Sequence, residues 1–83
     1  MTETPRQITP DMWLRQAFSS RQACAGGIVR RSVEDVHRIV GRRSFEAYLH
    51  RRGFRAVENA GQYIVFCNRD PVRIVPTRAP EIP

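Results

Sequence analysis

The stretch from Ser32 to Gly53 constrains this chain more than any other part, because its apolar residues point in two directions. At about 100° per residue, Val33, Val36, Ile39 and Val40 gather on one side of a helix, whereas Phe45, Tyr48 and Leu49 gather roughly 165° away. One straight helix over 33 to 52 would have to bury opposite faces. Two shorter helices with a tight turn near Gly41 to Ser44 can bury both stripes in one core. The punctuation agrees. Ser32-Val33-Glu34-Asp35 has capping-box spacing, with aspartate in place of the longer glutamate or glutamine; Gly41 suits the position just past a helix end, and Gly53 stops the next one. The expected helices run from 33 to 40 and from 44 to 52.

Upstream, Thr9 as N-cap, Pro10 at the first helical position and Asp11 in the first turn open a helix expected over about 10 to 25. Trp13, Leu14, Ala17, Phe18 and Cys24 form its apolar side, and Gly26 and Gly27 end it. Ile28 to Arg31 is long enough for one short strand. Downstream, 54 to 58 and 62 to 67 are rich in aromatic and β-branched residues, and Asn59-Ala60-Gly61 suits a three-residue hairpin loop with Gly61 left-handed. That loop sets Glu58 opposite Gln62, Ala56 opposite Ile64 and Phe54 opposite Phe66, which puts four apolar side chains on one face and Tyr63 on the other. The expected class is α+β: three helices and a C-terminal β-hairpin folded over 9 to 67. Residues 1 to 8 form a polar, flexible arm, and 68 to 83 form a proline-rich extended tail whose Val72 to Val75 has room for a short edge strand between Pro71 and Pro76.

Charge is unevenly placed. The chain has fourteen arginines, no lysine and eight acids, a net of +6, which points to a polyanionic partner. Residues 30 to 55 hold eight of the arginines and three acids, a net of +5; the other 57 residues carry only +1. The absence of lysine fits either guanidinium forks suited to bidentate recognition of phosphate and guanine or the codon bias of a GC-rich genome, but codon bias alone would spread the net charge more evenly.

Several classes are excluded by what the pattern lacks. Eighty-three residues allow one small domain with a modest core and no cleft between domains. Cys24 and Cys67 stand far apart with no CxxC, and His37 and His50 add no close pair, so neither a metal nor another cofactor is expected. His37 reads as a satisfied or solvent-facing histidine. No nucleophile-base pairing, phosphate-binding glycine loop or paired carboxylate is recognisable, and the chain reads as a non-enzyme. With no run of eighteen apolar residues and no leader-like start, it is expected in the cytoplasm, without a membrane partner and with both cysteines as thiols. Trp13, Phe18, Phe45, Tyr48, Phe54 and Phe66 fall at core spacing and read as packing, not as a base-stacking platform.

The order helix, strand, helix, tight turn, helix, hairpin resembles the winged helix-turn-helix family of DNA-binding domains. The resemblance covers about 58 of the 83 residues and rests on SVEDVHRIVGRRSFEAYLHRRGF passing straight into a hairpin. Arg42 and His37 depart from the family's pattern, which usually has an apolar and a small residue at these places. The resemblance implies that the third helix enters the major groove of double-stranded DNA with Arg43, Glu46, Ala47, His50 and Arg51 toward the bases. Chemistry agrees: arginine pairs with guanine, glutamate accepts from cytosine N4, and a methyl group meets thymine. Arg30, Arg31, Arg42, Arg52 and Arg55 would serve phosphates. The implied function is a sequence-specific regulator of transcription, bacterial or phage, with a homodimer plausible for so small a module. The competing reading is an interaction module of the same fold that binds an acidic protein, as a polymerase adaptor or an inhibitor of a nucleic-acid enzyme.

Overall fold

The computed structural model describes residues 8–79; the expected arm over 1 to 8, save Ile8, and residues 80–83 of the expected tail lie outside them. Four helices pack against one face of a three-stranded antiparallel sheet, in the order α1 (Pro10–Ala17), α2 (Arg21–Cys24), β1 (Ile28–Ser32), α3 (Val33–Ile39), α4 (Arg42–Arg52), β2 (Arg55–Asn59) and β3 (Gln62–Phe66). The α+β class holds; among the described residues there are four helices rather than three.

The first helix opens as its sequence predicts, with Thr9 Oγ1 accepting from the Met12 amide at 3.2 Å. It stops at Ala17 instead of running to 25. Ser20 is extended, at φ −65° and ψ 160°, and its hydroxyl caps a new turn by accepting from the Ala23 amide. Two serines in a row compete with the helix for backbone partners, and here the cap wins. The break turns Ala23 into the core and leaves Cys24 exposed.

The opposed stripes are resolved as two helices. Ser32 Oγ accepts from the Asp35 amide, so α3 starts at its capping serine. The connection to α4 is shorter than expected, because α4 begins at Arg42 rather than Ser44. Val40 and Gly41 make the turn alone, with Gly41 at φ 90° and ψ 144°, a conformation side chains resist. Val36, Phe45 and Val65 lie fully buried where α3, α4 and the sheet meet.

The hairpin differs by one residue. Its loop is Ala60-Gly61, both at positive φ (51° and 75°), as a two-residue type I′ turn requires. Asn59 therefore pairs with Gln62, Ala56 with Val65 and Arg55 with Phe66. Tyr63 and Val65 turn toward the helices, joined by Phe54 at the base of β2, while Ile64, Phe66 and Val57 lie half-buried on the outer face. Phe66 is thus not in the main core, and Tyr63 is not on the outside. β3 lies between β1 and β2; Val29 pairs with Val65 and Arg31 with Tyr63.

Residues 71–79 have no regular structure and are exposed, so Val72 to Val75 does not lie as a strand on its own body. The tail leaves in a fixed direction, since Asn68 Nδ2 donates to Gly26 O and the Asp70 amide donates to Asn68 Oδ1, each at 2.9 Å.

Candidate nucleic-acid interface

Helix α4 divides its residues cleanly. Phe45 and Leu49 are buried and Tyr48 is half-buried, while Arg43, Glu46, Ala47, His50 and Arg51 are all exposed on the opposite side. The helix begins at a glycine with no side-chain cap and ends at Gly53 in the left-handed conformation, with His50, Arg51 and Arg52 in its last turn, where cations oppose the dipole favourably. The five residues expected to meet bases thus share one solvent-facing surface.

Glu46 is engaged: Arg42 Nε donates to its Oε2 at 2.9 Å, an exposed i,i+4 pair. That hydrogen bond and the Glu46 charge raise the Arg42 pKa above its ordinary value. A solvent-exposed pair of this kind is screened and rearranges readily. Arg38 is likewise paired with Asp35 at 2.7 Å.

The arginines assigned to phosphates separate into different environments. Arg52 stays exposed but anchored, with Nη1 donating to Tyr48 Oη at 2.6 Å and its guanidinium 4.8 Å from the Phe54 ring centre. Arg55 lines a groove of about 360 Å³ between α4 and β2, together with His50 and Glu58. Arg30 falls on the sheet face turned away from the helices, by the alternation of β1. Arg31 points inward and is half-buried; Nη2 donates to Ala17 O at 3.3 Å and Nη1 to Arg30 O at 2.6 Å. The structure therefore gathers Arg42, Arg43, Arg51 and Arg52 on α4, leaves Arg30 and Arg31 apart, and puts Arg55, paired with Phe66, at the rim of the groove with its side chain on the same outer sheet face as Arg30.

A polar pair that the sequence left open sits beside this surface. His37 Nε2 and Tyr63 Oη are 2.8 Å apart, and the Tyr63 ring packs on Phe45 with centres 4.8 Å apart. Burial raises the Tyr63 pKa above 10, with the Glu58 charge adding to it. The signal for this pair was the hairpin register alone, since only the two-residue loop turns Tyr63 inward.

Among the described residues no three of His, Cys, Asp and Glu come together as a metal site, and no helix is long and apolar enough to cross a membrane. Cys67 is buried, which raises its thiol pKa, and Cys24 is exposed; both are free. Comparison with family models, curated proteins and solved structures gave no match.

Proposed function

We propose that this chain is a small sequence-specific binder of double-stranded DNA, a regulator of transcription with a winged helix-turn-helix arrangement that reads the major groove with α4. The observation that carries the reading is the outward face of α4: Arg43, Glu46, Ala47, His50 and Arg51 are all exposed and lie within the segment that holds most of the excess positive charge. The element order, with β3 central and the β2–β3 hairpin following α4 directly, supports the same reading. A helix is the element that fits the major groove, and these side-chain types match base edges.

The test is duplex binding measured on a site selected from random sequences and on random duplex, across a salt series. Arg43→Ala and Arg51→Ala are expected to lose about 1 to 3 kcal/mol of preference at particular base pairs. Arg42→Ala, at the exposed start of α4, is expected to weaken all duplexes alike and to lower the salt slope by about one. Equal losses for all three variants on every duplex reduce the site to a non-specific patch. No loss from any of them, with acidic proteins released from pull-downs instead, turns α4 into a protein-binding surface.

A further inference from the structure

The hydrogen bonding of the sheet identifies a free strand edge, and the tail of the chain carries a segment matched to it. Cys67 N donates to Gly27 O and Val33 N donates to Gly61 O, so the pairs that face β1 are those of odd-numbered β3 residues, including Tyr63 and Val65. Gln62, Ile64 and Phe66 consequently turn their backbone groups to Asn59, Val57 and Arg55 of β2. The N–H and C=O groups of Ala56 and Glu58 then point outward from β2, and no hydrogen bond is made to them among the described residues. The outer edge of β1 is less open, because Arg30 O already accepts from Arg31 Nη1 at 2.6 Å.

Val72, Arg73, Ile74 and Val75 form an exposed run with three β-branched residues, Ile74 at 83% and Val75 at 70% exposure. We propose that this run adds as a fourth, antiparallel strand to the free edge of β2 in a second copy of the chain. Arg73 then lies opposite Glu58 and Val75 opposite Ala56, and these two pairs make the backbone bonds that the edge offers. Ile74 lies beside Val57 and continues the apolar row of Ile64 and Val57 on the outer face. Val75 faces the groove between α4 and β2, whose walls include Phe45, Leu49, Phe54 and Tyr63. Arg73 sits across from Glu58, an acid without an ion-pair partner among the described residues.

The prolines agree with this register. Pro76 falls opposite Arg55, where the strand's N–H would point to solvent, so its missing donor costs nothing there. Pro71 falls opposite Ala60, beyond the end of β2. Addition within one copy is excluded by reach. From Cys67, Val72 would have to travel about 17 Å along the sheet and about 10 Å across two strands. Five extended steps span about 18 Å, and the turn held by Asn68 shortens them. Reciprocal exchange between two copies closes the assembly as a dimer.

The inference does not depend on DNA as the partner and is tested without nucleic acid, by sedimentation equilibrium of the full chain over a concentration series. The expected result is a dimer of the 9.6 kDa chain. Val75→Pro, which removes an N–H from a bonded position, is expected to weaken the dimer about tenfold or more. Arg73→Glu and Glu58→Arg should each weaken it, and the two together should restore it. All three positions are exposed, so circular dichroism of the variants should match the parent. A monomer at every concentration overturns the proposal. So does a dimer indifferent to Val75→Pro, and so does a charge swap that fails to restore association.

Discussion

Arg30 and Arg31 are adjacent in sequence and equal in charge, yet strand alternation gives them opposite tasks. Arg31 joins the carboxyl end of α1 to β1 through Ala17 O, so Arg31→Ala is expected to cost about 1 to 2 kcal/mol in urea unfolding. Arg30→Ala, on an exposed position of the other face, should stay within about 0.5 kcal/mol and change duplex affinity by no more than about twofold. Tyr63 allows a pH prediction. Its folded pKa is raised, chiefly by burial and next by the Glu58 charge, so the unfolded chain ionises first as pH rises. The associated stability is complete below the ordinary tyrosine value of about 10 and is lost as pH climbs through the folded value. Tyr63→Phe is expected to lower stability at pH 7 by about 0.5 to 1 kcal/mol through loss of the His37 hydrogen bond. Thermal melts should show that the same variant has a shallower decline above pH 10.

The hairpin is the element whose details matter most. Ala60 holds φ 51°, which an L-residue other than glycine, asparagine or aspartate adopts at a cost. Ala60→Gly should therefore stabilise the domain by about 0.5 to 1 kcal/mol, read as a shift of the urea midpoint at constant slope. The same turn explains why the register was only partly legible. Asn59 is an excellent turn residue and Ala60 a poor one, so residue preference draws Asn59 into the loop, whereas the fold makes it the closing pair with Gln62. Nothing local in the sequence marks an alanine for the left-handed region; what decides is which face of β3 meets Phe45, a contact made across the domain. Phe45→Ala, at a fully buried position, should cost about 3 to 5 kcal/mol, while Phe66→Ala, half-buried on the outer face, should cost less than half as much in the same titration. The opposed stripes around Gly41 and the Ser32 cap were legible because they are local and periodic. The break at Ser19 and Ser20 was masked by the apolar residues on both sides, which continue a helical spacing that the backbone does not follow.

At the scale of the molecule, the site was legible as a helix face but not as a charge map, since the sequence counts arginines without saying which side of the sheet they occupy. With Arg31 turned inward and Arg30 and Arg55 on the far face, Arg42 and Arg52 are left to meet phosphates around a duplex on α4. Two such contacts predict a slope of log affinity against log salt of about −2, measurable by titration between dilute and physiological salt. A slope twice as steep would mean that Arg30 and Arg55 on the far face also engage. The division of labour within α4 has a consequence for change over time. None of Arg43, Glu46, Ala47, His50 and Arg51 is part of the buried core, so these five positions can be varied together without repacking the domain. Within the set only Glu46 makes an ion pair among the described residues, an exposed and screened contact with Arg42 that constrains its replacement little. A library randomised at these sites should keep its fold in most members while its preferences diverge, which makes this surface open to retargeting by selection and easily altered by drift.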